Sequence, residues 1–363
     1  MADDAALRHG LLDAEHRALG GRMVPFGGWE MPLRYGSTLE EHRACREGAV
    51  VFDVSHLGSV WVRGAGAFEA LQGLLTNDLR RVEPGKAQYT HLLDAGDGHV
   101  VDDIIVWWLA KDEFLVIPNA SNTAPALDAL AEAAATAGGV EIEDVTARRS
   151  FLAVQGPEAR GRLAGVSPEA AAVGHFEVAR CPVPGGEAIV GGTGYTGEDG
   201  VELFLPAEVA VRVWRSLAEA GCTPAGLGAR DTLRLEMGYP LHGHELGPGI
   251  TPLQAGLGWV VGWDKPAFQG REALAAERER GVSRRLTGVV LDDRQVPRAG
   301  CVVAVEGKPA GEVTSGNLSP SLERGIALAF LPPGTAPGTA VEIDIRGRRA
   351  PGVVTKPPFV TRP

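Results

Sequence analysis

The most constrained apolar run lies between Gly96 and Leu109, where a Gly-Asp-Gly turn leads into Val100-Val101-Asp102-Asp103-Ile104-Ile105-Val106-Trp107-Trp108. A run of this kind predicts a β-strand, with Val100, Asp102, Ile104 and Val106 on one face and Val101, Asp103, Ile105 and Trp107 on the other. Neither face looks solvated. At least one carboxylate is therefore expected in low-dielectric surroundings, where an unpaired charge is costly and the pKa rises unless a partner compensates. The alternative is that both aspartates sit at the strand start and take hydrogen bonds from turn amides. Tyr89 to Leu93 is expected to pair with this strand across the 94–98 turn, and Phe114 to Asn119 to complete a meander after the Lys111-Asp112-Glu113 turn.

Helical spacing predicts helices over 7–19, 65–75, 119–138 and 208–220, the last with Val209, Val213, Trp214 and Leu217 on one stripe and Gly221 at its end. Ser37 and Glu40 form a capping-box signature for a helix to Arg46. Between these, 22–33 holds two prolines, two glycines and large apolar groups without a period, so it reads as an irregular segment pinned by buried Phe26 and Trp29. Val50 to Gly58 and Phe151 to Pro157 read as strands. The charge run Arg271 to Arg280 reads as a solvated helix, and 281–285 as the domain boundary. Beyond it, short β-rich segments separated by Gly/Pro turns predict a small barrel or sandwich of roughly 80 residues. No internal repeat is visible.

Candidate chemistry narrows this picture. Asp53, Ser55 and His56 invite a hydrolase reading, but neighbours on a strand diverge to opposite faces and cannot form a nucleophile–base relay. The Gly192-Thr-Gly194-Tyr195-Thr-Gly197 stretch matches a dinucleotide fingerprint, yet Glu198-Asp199-Gly200 and an alternating strand follow it where a helix N-terminus should face phosphate. It reads instead as a glycine-rich hairpin whose second strand carries Glu202 beside Phe204. That carboxylate is either a solvated edge residue or a receptor for a planar, amidine-like edge such as a pterin. Arg230 and Arg234 share a helix face; taken as isolated residues they read as a surface salt-bridged with Asp231 and Glu236. His242 and His244 lack a third ligand at metal spacing and read as loop residues. With 35 Lys and Arg against 46 Asp and Glu the net charge is −11, which disfavours nonspecific nucleic-acid or anionic-membrane binding. Four scattered cysteines, no signal-like start and no apolar run long enough to span a bilayer make the reducing cytoplasm the expected setting.

Taken together, Val24-Pro-Phe-Gly-Gly-Trp-Glu-Met-Pro, Phe52-Asp-Val-Ser-His-Leu-Gly, Asp102-Asp-Ile-Ile-Val, Gly194-Tyr-Thr-Gly-Glu-Asp-Gly, Gly228-Ala-Arg-Asp-Thr-Leu-Arg-Leu-Glu, Val313-Thr-Ser-Gly and Pro358-Phe-Val resemble the aminomethyltransferase (T-protein) family of the glycine cleavage system over nearly the whole chain. The resemblance implies an α+β fold of three domains, with mixed or antiparallel sheets around a central channel and a small C-terminal β-barrel. Residues 1–280 would form a folate-binding catalytic region of two α+β subdomains, and 281–363 the barrel. It also implies tetrahydrofolate as co-substrate, the lipoylated H-protein as partner and no metal. Asp102 matches the family's catalytic aspartate, Glu202 the carboxylate gripping the pterin edge, and Arg230 a folate-contacting arginine, expected to face the carboxylate tail. Asn119, Tyr195 and Trp259 match further pocket residues. Leu57 is placed with them where the family usually has methionine; Gly192, His242 and Pro357 stand where arginine, tyrosine and methionine are usual. One other reading keeps the fold and changes the donor, a folate-dependent demethylase of a small methylated compound; another changes class altogether, a noncatalytic folate-binding relative in iron–sulfur protein maturation. The latter's cysteine-containing motif corresponds to Lys265-Pro-Ala-Phe-Gln-Gly-Arg-Glu272, which lacks the cysteine.

Overall fold

A computed structural model describes residues 6–361. The strand carrying the two aspartates, Val100–Ala110, pairs antiparallel with Lys86–Leu93 on one side and Glu113–Ile117 on the other. Val60–Arg63 and Glu141–Asp144 extend these to a five-stranded antiparallel sheet. A second sheet has the order Val178–Val183, Gly186–Gly191, Gly200–Pro206, Arg149–Gln155, Val50–Asp53 and Thr223–Ala225, antiparallel except for its last pair. The two sheets face each other across Trp107, Leu115, Phe52, Phe151, Ala153 and Phe204, which bury together. Each large side chain removed from water there contributes about 1.5–3 kcal/mol. Gly191 is required at this seam, because a Cβ there would lie 2.4 Å from the Trp107 indole.

Helices close both outer faces. Ala67–Leu74 and Thr123–Ala137 cover the first sheet through Leu71, Ala126 and Leu130 against Ile104, Val106 and Val116. Ala207–Glu219 lays its Val209, Val213, Trp214 and Leu217 stripe on the second, against Leu152, Leu203 and Leu205. The 192–199 stretch is the loop of a hairpin, with Gly191 opposite Glu202. Ser37 caps Thr38–Glu47, its hydroxyl accepting from the Glu40 amide at 3.2 Å and donating to the Glu40 carboxylate at 2.9 Å.

The N-terminal expectations need correction. The expected helix over 7–19 is only Asp13–Ala18, because Arg8–His9 pairs with Trp29 and Glu30. The supposedly irregular 22–33 is a hairpin, Arg22–Phe26 against Trp29–Arg34. Its turn residues Gly27 and Gly28 have φ of 57° and 81°, the left-handed pair a tight two-residue hairpin turn requires. Trp29 is buried as expected, but Phe26 is 40 % exposed.

At the C-terminus, Arg285–Leu291, Arg324–Leu331, Lys308–Ser319, Val302–Val305, Ala340–Ile345 and Arg348–Thr355 close into a six-stranded barrel in that order. The barrel packs on helix Leu227–Glu236 through Leu235, Ile326 and Leu328. Beneath that contact Glu236 accepts hydrogen bonds from Ser319 Oγ at 2.5 Å and from the Ser321 amide at 3.0 Å. Among the described residues no helix is long and apolar enough to cross a membrane.

Candidate active site

Alternation along Val100–Ala110 sends the adjacent aspartates to opposite faces, and packing decides which face matters. Asp102 shares its face with Ile104 and Val106, beneath the helices, and is fully buried. It accepts from the Asn119 amide at 2.9 Å, Asn119 Nδ2 at 2.8 Å and Asn122 Nδ2 at 2.6 Å. Asp103 is on the inter-sheet face and lines a cavity of about 1050 Å³; Asp102 is not part of that wall. Asp103 accepts from Tyr89 Oη at 3.1 Å and Asn119 Nδ2 at 2.8 Å, so one amide bridges the two carboxylates. Burial pushes both carboxyls above the usual range, and for Asp102 the neighbouring Asp103 charge adds to it. Asp102, expected from the resemblance to be the catalytic aspartate, is thus turned away from the cavity. The carboxylate with access to the cavity is Asp103, and Asp102 lies behind it with three N–H donors around it.

The cavity sits where both sheets, the N-terminal hairpin, helix Leu227–Glu236 and the barrel meet. Glu202 enters its wall from the second sheet, 6 % exposed, with Thr193 Oγ1 donating to it at 2.5 Å. Burial raises its pKa, only partly offset by that hydrogen bond and by the Arg230 charge. Arg230 lies over the Tyr195 ring, 4.7 Å from its centroid, and its Nη1 is buried without a hydrogen-bond partner. Arg230 and Glu202 each feel the other's charge. Tyr195 itself is fixed by a hydrogen bond from its hydroxyl to the Pro240 carbonyl. Leu57, Asn119 and Trp259 also reach the wall, Trp259 62 % exposed and tilted 30° against Tyr89 at 5.8 Å.

Arg234, expected on a surface, is 3 % exposed: it bonds Asp231 at 2.9 Å, Glu245 at 3.2 Å and Ser315 Oγ at 2.9 Å, tying helix to barrel. Glu236 pairs instead with Arg46. The sequence reading passed over Tyr89, Asn122, Thr193 and the barrel residues Thr314 to Gly316. Tyr89 was detectable: it is two residues from the position opposite Asp103, so strand pairing alone puts it on the aspartate's face. His242 was read as a loop residue; that loop folds onto the cavity, and the His242 charge acts on Asp103.

A basin this large, mostly apolar and carrying a few converging polar groups, suits a flat heteroaromatic ligand whose N–H edge meets a carboxylate and whose acceptor meets an unpaired guanidinium nitrogen. The family described as GCVT N-terminal domain matches residues 12–265, and the glycine cleavage T-protein C-terminal barrel domain matches residues 284–361. The chain is 47 % identical to the aminomethyltransferase of Mycolicibacterium paratuberculosis over 368 residues and to that of Frankia alni over 369, in each case covering 99 % of both chains. The crystal structure of glycine cleavage system aminomethyltransferase T from Bartonella henselae superposes with a TM-score of 0.90 at 33 % identity, covering 98 % of each chain.

Proposed function

This chain belongs to the glycine cleavage T-protein family, and on that premise we propose which of its residues carry the reaction. It is an aminomethyltransferase of the glycine cleavage system. The methylene carbon of an aminomethyl group held on a dihydrolipoyl sulfur passes to tetrahydrofolate, giving 5,10-methylenetetrahydrofolate, ammonia and the free thiol. The carrier is the lipoylated H-protein and the setting is cytoplasmic; the net charge of −11 offers no footing for a nucleic-acid or membrane partner. Residues 1–280 act as the folate-binding region and 281–363 as the barrel domain that completes its wall.

The observation that carries the reading is the presence, around one cavity, of the partly buried Asp103 and Arg230 and the buried Glu202, with hydrogen-bonding capacity still open. A pterin head meets these requirements. Its aminopyrimidinone edge offers two N–H groups to the Glu202 carboxylate, and its carbonyl oxygen takes a hydrogen bond from Arg230 Nη1. Arg230 thus acts beside Glu202, at the pterin head rather than at the carboxylate tail. Tyr195 backs the guanidinium, Trp259 and Leu57 supply apolar contact, and Asn119 holds Asp103 in place. Tetrahydrofolate contributes two amine nitrogens that take up the methylene carbon. As carbon–sulfur and carbon–nitrogen bonds of the donor break, the two protons leaving those amines are balanced by one gained at ammonia and one at sulfur. The Asp103 carboxylate orients an amine N–H and stabilises the cationic character that develops as ammonia departs.

The test combines both halves of the site. Aminomethyl-loaded H-protein and tetrahydrofolate mixed with the protein should release 5,10-methylenetetrahydrofolate and ammonia in equal amounts. Calorimetric titration with tetrahydrofolate should show affinity lowered by roughly 10-fold or more in both Glu202→Gln and Arg230→Ala, the cost of leaving one buried polar partner unpaired. Unchanged affinity in both variants would remove the proposed pocket.

A further inference from the structure

Behind Asp103 lies a buried histidine for which the transfer reaction has no direct use. His91 stands opposite Asp103 on the neighbouring strand and is fully buried. Its Nε2 lies 3.2 Å from Tyr89 Oη, and Tyr89 Oη lies 3.1 Å from Asp103 Oδ2. The rings of Tyr89 and His91 meet edge to face at 5.3 Å. A tyrosine hydroxyl has one proton, so it can donate to the carboxylate or to the imidazole, not to both. The imidazole decides which. His91 Nδ1 is buried and has no hydrogen-bond partner. Were the ring proton on Nδ1, a buried N–H donor would be left unsatisfied, whereas an idle ring lone pair there costs less.

We propose that His91 is a positioning residue, held as its Nε2–H tautomer, that donates to Tyr89 Oη and thereby commits the Tyr89 proton to Asp103. The inference rests on the assignment of Asp103 made above and deepens it. Donation into the phenol oxygen polarises the O–H bond, strengthening its hydrogen bond to the carboxylate and favouring the ionised form. The chain also helps fix the Asp103 side chain at the cavity wall. Burial holds His91 neutral, its pKa lowered to about 3, so the ring supplies orientation and no titration of its own. Asp103 also interacts electrostatically with Asp102 on the opposite face of its own strand, Asn119 on the following loop, Tyr195 in the hairpin loop and the His242 charge from the loop beyond Arg234. These set its baseline; His91 acts through Tyr89 alone.

Nitrogen-15 NMR of the wild-type imidazole tests the tautomer without substrate. The expected result is a neutral ring protonated at Nε2 that does not titrate between pH 5 and 8; a proton on Nδ1, or a cationic ring, overturns the proposal. The pH profile of kcat/KM then tests the consequence. His91→Phe should move the acid limb upward by roughly half to one pH unit, the size expected for one weakened hydrogen bond. His91→Gln, whose amide nitrogen can replace Nε2–H, should restore it. Identical limbs in all three proteins, or an equal shift in Gln and Phe, would contradict the proposal. Should His91→Phe not fold, the NMR result and the Gln profile still decide. Full activity in Asp103→Asn would instead refute the assignment of Asp103 itself, while the NMR would still report on His91.

Discussion

Two buried carboxylate sites in this molecule have opposite characters. Glu236, under the barrel, is fully buried and saturated: Arg46 donates at 3.1 and 2.8 Å, Ser321 Oγ at 3.0 Å and Ser319 Oγ at 2.5 Å, with His42 Nε2 at 3.3 Å. Burial alone would raise its pKa, but the His42 hydrogen bond and charge, then Ser319 and Arg46, bring it to about 2. Glu202 is buried and Asp103 partly so, yet their partners only partly offset the desolvation and both stay above the usual range. Burial of an acid is thus no mark of function by itself. The mark is acceptor capacity left open toward a cavity, where a substrate can complete the shell that Arg46 and the serines complete for Glu236.

The saturated site breaks first when one member is removed. Glu236→Ala should cost about 3–5 kcal/mol of unfolding free energy, since Arg46 loses its carboxylate partner in the interior; urea denaturation reads this directly, and a loss under about 1 kcal/mol would show the network to be dispensable. A smaller effect sharpens the comparison through pH. Because Glu236 titrates lower when folded, its contribution is complete above its ordinary pKa of 4.5 and is lost as pH falls toward about 2. Stability of the wild type should fall with acid through that window, and Glu236→Gln, which cannot titrate, should show a shallower fall there. The cavity acids have raised values, so their sign is the reverse: their folded forms hold protons more tightly than the unfolded chain, and they destabilise as pH rises. Equal slopes in Glu236→Gln and wild type would contradict the assignment.

Much of this was legible in the chain. The strand over 100–110, its hairpin partner, the capped helix after Ser37 and the barrel region follow from spacing and turn residues, and the hairpin at 192–199 from the acidic residues where a phosphate site would need amides. Strand alternation also separates Asp102 from Asp103. It does not say which face meets the second sheet, because that depends on Trp107 finding Phe151 and Phe204 far along the chain. The family resemblance pointed to Asp102 of the pair, whereas the residue of the pair that lines the cavity is Asp103. Arg22 to Arg34 hid its hairpin because Pro25 and Pro32 break the usual strand composition, and only the paired backbone reveals it. Arg234 looked like a surface residue because its Glu245 and Ser315 partners come from a later loop and the barrel.

Comparing Asp103→Asn with Asp102→Asn in one assay tests the central claim most directly. Turnover per folded molecule, read as methylenetetrahydrofolate formed from aminomethyl-loaded H-protein, should fall by roughly 100-fold or more in Asp103→Asn, the range for a positioned electrostatic group. Asp102→Asn should chiefly lower the melting temperature, by turning an amide toward the Asn119 and Asn122 donors, and should cost far less in turnover. If Asp102→Asn is the more damaging to turnover while Asp103→Asn stays near wild type, the cavity-facing carboxylate is not the reacting group and the account fails.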